Sequence, residues 1–151
     1  MNIRRYKKED YCQVMELHRT AMERIGAFKG NGHWDHDLQN IEDVYNEISG
    51  EFLVLETDGK IIAMGAFKKT SETLAEVKRM RVLPEFQGKG FGKLIYCKLE
   101  ERAKEIGYSG FHLETSEIQV AAQRLYLSVG FKKTGRTIID GFNCILYEKQ
   151  F

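Results

Sequence analysis

The sequence predicts an α/β (α+β) fold: one mixed central sheet with helices on both faces, in the order βααβββαβαββ. Three observations carry this. Segments with helical periodicity separate groups of short, strand-like apolar runs. Two tight-turn pairs, Asp58-Gly59 and Asp140-Gly141, join such runs into hairpins. A glycine-rich loop leads from a strand into the longest helix.

The elements follow in order. Residues 1–7 read as a strand without the apolar core or cleavage site of a secretory signal. Tyr11, Val14, Met15, His18, Ala21, Met22 and Ile25 recur at helical spacing, predicting an amphipathic helix over roughly 9–25. Gly26 to Gly32 is a loop. Leu38, Ile41, Val44, Tyr45 and Ile48 predict a second helix that ends near Ser49-Gly50. Strands follow at Phe52–Glu56, Ile61–Phe67 and Leu74–Leu83. The long helix carries Phe91, Leu94, Ile95, Leu99, Ala103 and Ile106 on one face and stops at Gly107. Phe111–Glu114 is a short strand, Val120–Val129 a helix capped by Gly130. Phe131–Thr134, Thr137–Ile139 and Phe142–Tyr147 close the chain as strands around Asp140-Gly141.

The composition narrows the function classes. At 151 residues, with neither repeat nor linker, residues 1–151 read as a single domain. With 42% apolar and 30% charged residues the chain resembles average soluble usage, and no run approaches the ~18 apolar residues of a membrane span. Lys and Arg number 23 against 22 Asp and Glu, so the basic excess of a nucleic-acid binder is missing. Cys12, Cys97 and Cys144 lie far apart with no metal-ligand spacing, which suits a reducing, cytoplasmic compartment. No metal is expected. His33 and His36 near Asp35 and Asp37 lack a further clustered ligand.

The loop Gln87-Gly88-Lys89-Gly90-Phe91-Gly92 needs a reason for its alternating glycines. Glycine lets backbone approach a ligand closely, and free N–H groups at a helix start bind phosphate. A flexible strand-to-helix turn is the plain alternative. The Walker loop does not fit, because Gly92-Lys93 is followed by Leu94. The dinucleotide fingerprint does not fit either, since the spacing is G-x-G-x-G and Glu114 comes too late. Upstream, apolar Val77, Met80 and Val82 break strict alternation and predict a bulge that frees backbone groups for a ligand.

Two segments resemble the GNAT superfamily of N-acetyltransferases. Val82–Leu94 looks like its Q/R-x-x-G-x-G/A coenzyme A signature, and Ala122–Phe131 like its A-x-x-L-Y-x-x-x-G-F segment. With the strand and helix between them they cover about half the chain. The resemblance implies a sheet splayed into a V, where the backbone of Met80, Arg81 and Val82 pairs with the pantetheine arm of acetyl-CoA. It implies that residues Gln87, Gly88, Lys89, Gly90, Phe91, Gly92 and Lys93 cradle the pyrophosphate. Where the family often has asparagine seven residues before the tyrosine, this chain has Gln119, so that cofactor contact is expected to be shifted or replaced.

Acetyl transfer to an amine sets the chemical requirements. An amine of pKa near 10.4 is protonated at pH 7 by about 3.4 units, roughly 4.6 kcal/mol against forming the free base. A general base assists that step, and backbone N–H groups stabilise the oxyanion. By resemblance Tyr126 is the proton donor to the leaving sulfur; on pattern alone it also reads as a core aromatic. Glu76 and Glu114 are the candidate bases, with Glu76 preferred, and each also reads as a strand-end carboxylate. Trp34, Asp35 and Asp37 lie where the family shapes its acceptor site and suit a cationic amine, with Asp35 or Asp37 as a helix cap the alternative. His18, on an apolar stripe, reads as a core or interface histidine.

The expected protein is a cytoplasmic, acetyl-CoA-dependent N-acetyltransferase. It transfers directly, in a ternary complex, to the primary amine of a small molecule. A protein or peptide amino group is the alternative acceptor, and an inactive coenzyme A-binding sensor the alternative role. A homodimer through the closing strands is compatible with the sequence.

Overall fold

Seven strands form one sheet in the order β1-β2-β3-β4-β5-β7-β6. The computed structural model describes residues 1–27 and 33–151, and the side chains of His33 and Trp34 lie outside the described residues. The strands are β1 (Asn2–Arg5), β2 (Glu51–Thr57), β3 (Lys60–Lys69), β4 (Leu74–Val82), β5 (Gly110–Ser116), β6 (Lys132–Ile139) and β7 (Phe142–Gln150). The helices are α1 (Tyr11–Arg24), the four-residue α2 (Ile41–Val44), α3 (Phe91–Ile106) and α4 (Val120–Ser128). The order expected from the sequence is the order found.

The core sits around β3. Its residues Ile61–Phe67 are buried at every position, which requires cover on both faces, and α1 and α3 both pack on this strand. Gly65 lets α3 come close. A Cβ there would stand 2.3 Å from Met80 Sδ and 2.7 Å from Ile95 Cγ2, so any larger residue would push helix and sheet apart.

Two expectations need correction. The second helix, expected through Ile48, is instead a 3-10 segment at His33–Gln39 followed by the single turn of α2. Leu38, Ile41 and Tyr45 are buried as the periodicity requires, but Ile48 is 84% exposed. The Asn46 side chain accepts hydrogen bonds from the Ile48 and Ser49 backbone N–H groups, both 3.1 Å, and turns the chain there. The strands expected at Phe131–Thr134 and Thr137–Ile139 are one strand, β6, with a register irregularity between Lys133 and Gly135 absorbing the break.

The bulge expected in β4 is present. Met64 pairs with Arg81 and Ala66 with Lys78, so Gly65 faces two residues, Arg79 and Met80. Arg79 adopts φ 62° to make room. On its other side β4 runs parallel to β5 for only Leu74–Glu76 against Gly110–His112. Beyond Glu76 the two strands separate, and the edge of β4 facing β5 has no strand partner.

Candidate active site

The separation of β4 from β5 opens a cleft of about 580 Å³. Glu76, Arg79 and Arg81 line it from β4, Glu114 and Thr115 from β5, and Gln119 and Tyr126 from the start and body of α4. Three residues far apart in sequence, Glu76, Glu114 and Tyr126, thus share one wall-to-wall space. At one end β4 runs into the glycine loop. Gln87 Nε2 donates to the Val82 carbonyl at 3.0 Å and ties that loop to the strand end.

The loop leaves its backbone open to a ligand. Gly88 and Gly90 have φ of 75° and 86°, and a Cβ on either would meet nothing within 4 Å. Gly90 is the N-cap of α3, so the first N–H groups of a 16-residue helix point outward at its positive end. Lys89, within the loop, has its Nζ 5.6 Å from the Phe86 ring centre. Together with the released edge of β4, this arrangement fits a long ligand with a phosphate group at one end and a hydrogen-bonding arm.

Tyr126 is 5% exposed and packs edge-on against Phe131, ring centres 5.6 Å apart. Burial pushes its phenol up to about 12, and the nearby Arg81 charge offsets only part of that. The hydroxyl therefore keeps its proton at neutral pH. Glu114 is reached by solvent on one side and desolvated by protein on the other. That burial, then the negative charge of Glu76, raises its carboxyl above the usual range. Two like charges in one cleft are the arrangement that moves a carboxylate toward the pKa of a useful base.

Asp37 lines the cleft and Asp35 the cavity beside it. Both are engaged by Arg79. Its Nε donates to Asp37 Oδ2 at 2.8 Å, its Nη2 to Asp37 Oδ1 at 2.5 Å and its Nη1 to Asp35 Oδ1 at 3.1 Å. Asp35 also meets the buried His18 ring at 3.2 Å, and the Tyr45 hydroxyl donates to Asp37 at 2.5 Å. Burial pulls Asp37 upward, but its hydrogen bond to Arg79 and that charge outweigh it and hold the carboxyl down at about 2. Neither acid is a helix cap with an open carboxylate. The side chain of Trp34 lies outside the described residues.

Gln119 uses its amide locally. Its Oε1 accepts from Thr115 Oγ1 at 2.6 Å and from the Ser116 N–H at 3.2 Å, which closes the turn from β5 into α4. Arg79 and Arg81 were not singled out by the sequence as site residues by their side chains. The signal was there in Glu76-Val77-Lys78-Arg79-Met80-Arg81-Val82, where four charges in seven residues are too many for a strand deep in a sheet.

The opened sheet and the glycine loop at its mouth define an α/β domain with a cleft between β4 and β5. A family model for the acetyltransferase (GNAT) family matches residues 12–131, and the chain belongs to that family. Its relatives include an N-acetylaspartate synthetase of Xenopus tropicalis, 33% identical over 120 residues that cover 76% of this chain and 44% of that protein. The uncharacterized N-acetyltransferase YjgM of Escherichia coli is 27% identical over 86% of this chain and 81% of its own. The chain thus spans less than half the length of the synthetase. A GNAT-family acetyltransferase of Staphylococcus aureus Mu50 has the same fold, with a TM-score of 0.89, 22% identity and coverage of 99% and 98%. A putative acetyltransferase of Salmonella typhimurium, solved with its cofactor acetyl-CoA, aligns with a TM-score of 0.79, 21% identity and coverage of 99% and 93%.

Proposed function

We propose that this chain is an acetyl-CoA-dependent N-acetyltransferase that acetylates the primary amine of a small molecule by direct transfer in a ternary complex. The observation that carries the reading is the cleft between β4 and β5, where Tyr126, Glu76 and Glu114 meet at the end of a strand that leads into the glycine loop. The relative solved with acetyl-CoA supports the choice of cofactor. The backbone of Met80, Arg81 and Val82 receives the pantetheine arm along the free edge of β4. The N–H groups from Gly88 to Lys93 hold the pyrophosphate.

When bound, acetyl-CoA supplies the acetyl group as an activated thioester. Glu114 takes a proton from the ammonium of the acceptor, directly or through water. Glu76 is its charged neighbour, a revision of the preference for Glu76 that follows from the raised carboxyl of Glu114. Backbone N–H groups of β4 stabilise the oxyanion. Tyr126 donates a hydrogen bond to the sulfur as negative charge develops. Full transfer from a phenol near 12 to a thiolate near 8.5 would be uphill by about 3.5 units, so the amine, which sheds protons on becoming an amide, provides the net proton.

Thiol release in the presence of a panel of amines tests the activity, and silence with every amine would remove it. Tyr126→Phe is expected to lower kcat about 10- to 100-fold, the range for one lost hydrogen bond to a charged group, while acetyl-CoA affinity stays within about twofold. The pH profile separates the two glutamates. Removing the charge at position 76 lowers the pKa of Glu114, so Glu76→Gln should move the acidic limb of kcat/KM to lower pH, whereas Glu114→Gln should erase that limb. The opposite pattern would make Glu76 the base.

Cellular location and assembly are part of the same proposal. Exposed thiols at Cys12 and Cys97 suit the reducing cytoplasm, and among the described residues no helix is long and apolar enough to cross a membrane. The outer strand β6 offers a free edge to a second copy, with Ile138 71% exposed near its end. A homodimer there should fall apart in gel filtration on Ile138→Lys.

A further inference from the structure

A second cavity of about 180 Å³ adjoins the cleft and shares Arg81, Glu114 and Gln119 with it. It lies between α1, β4, β5 and the start of β7, and Met22, Ile139 and Phe142 form its apolar wall. Pockets for drug-sized ligands run to roughly 300–1,000 Å³, so this one suits a molecule of a few heavy atoms.

Arg81 and Ser116 each bring to this cavity a buried polar atom with no hydrogen-bond partner among the described residues. Arg81 donates from Nη1 to the Met80 carbonyl at 2.8 Å, but its buried Nε has no hydrogen-bond partner among the described residues. Ser116 Oγ is likewise buried and unsatisfied among them. A buried donor left unmade is costly, and a buried guanidinium more so. Asp35 and Asp37 hydrogen-bond to the neighbouring Arg79 and favour the Arg81 cation through their charge, but neither bonds its Nε. Burial and the like charge of Arg79 lower Arg81 to about 10, which leaves it a cation at neutral pH. A guanidinium Nε and a hydroxyl both donate, and a small anion that accepts from each satisfies both groups.

We propose that the acceptor carries a carboxylate beside its amine, as an amino acid does, and that Arg81 and Ser116 bind that carboxylate while Glu114 faces the amine. This rests on the acetyl-transfer reading and names the substrate class of that same site. The geometry explains why one cavity wall holds both a cation and a carboxylate: each meets the group of opposite charge on a zwitterion. A short side chain then rests on Met22, Ile139 and Phe142. The size of the cavity sets the limit on that side chain.

The test uses the full chain, acetyl-CoA and matched acceptors: several amino acids, their amides and their decarboxylated amines, followed by thiol release. Amino acids are expected to exceed their matched amides in kcat/KM by roughly 10- to 100-fold, the range for hydrogen bonds to a charged group. Arg81→Met should collapse that ratio toward one through a higher acceptor KM, and Arg81→Lys should restore part of it. Ser116→Ala should lower it by about threefold, and this milder change reports even where Arg81→Met fails to fold. Amides or simple amines turned over as well as amino acids would overturn the assignment, as would an undiminished ratio in the Arg81 variants. Absence of thiol release with every acceptor would overturn the transfer reading itself.

Discussion

Replacing Gly90 by valine is expected to weaken acetyl-CoA binding at least about 100-fold in calorimetry. The reason is conformational rather than steric. Gly90 holds φ 86° and ψ 7° at the N-cap of α3, while a Cβ built there touches nothing within 4 Å. A β-branched residue in the left-handed region is strained by about 1–2 kcal/mol, and relief of that strain rotates the peptide units whose N–H groups face the phosphates. Each charge-assisted hydrogen bond lost is worth about 1.5–3 kcal/mol, so one or two suffice. Gly90→Asn, which tolerates positive φ better, should retain more affinity than valine. The fold itself should lose only the strain, or roughly 2–8 °C in Tm for a domain of this size. Unchanged affinity in the valine variant would remove the loop from the cofactor site.

Arg79→Met is expected to cost the most stability, about 3–5 kcal/mol, because it leaves two buried carboxylates without their cation. Arg79 itself is 8% exposed by side chain, and Asp35 and Asp37 are 6% and 11% exposed. By the scaling of about 2–4 °C per kcal/mol, Tm should fall roughly 6–20 °C. The pH dependence checks the cause. In the native chain Asp37 is depressed to about 2 from an ordinary 3.8. Its contribution, about 2 kcal/mol, is therefore fully present above 3.8 and is lost as pH falls through 2. In the variant the acids keep their burial and lose the charge that opposed it, so their pKa values rise and the fold gains stability on acidification. The gap between the two proteins should thus narrow from about pH 5 downward. A Tm within 2 °C of the native value, or a gap that does not narrow, would show that the pair is not what holds this corner together.

Arg79 also illustrates how the site and the fold depend on one another. A non-glycine residue at φ 62° is uncommon and costs on the order of 1 kcal/mol. Here the bulge that requires it is the feature that turns β4 away from β5, and the ion pairs to Asp35 and Asp37 hold the strained residue in place. The segment between α1 and β2 is tied to β4 by the same contacts.

Local chemistry made much of this legible. The hairpin at Asp58-Gly59, the α3 stripe ending in Gly107 and the broken alternation in β4 are short-range patterns with direct backbone causes, and they appear where expected. The second helix stops at Val44 although its apolar spacing continues, because Asn46 supplies a turn through its side chain. Periodicity does not register a side-chain hydrogen bond.

By itself the sequence determined the order of elements, the bulge and the glycine-lined start of α3, because each depends on residues within a few positions of one another. It also placed Tyr126, Glu76 and Glu114 as candidates. Only the tertiary structure decided what surrounds them. That Glu114 is raised by burial and then by the charge of Glu76, that Arg79 takes up Asp35 and Asp37, and that Arg81 and Ser116 are left with unmet hydrogen bonds depend on distances across strands, 38 residues apart in the case of the two glutamates. Burial and charge pairing are set by what the fold brings alongside, and one-dimensional spacing does not carry that information.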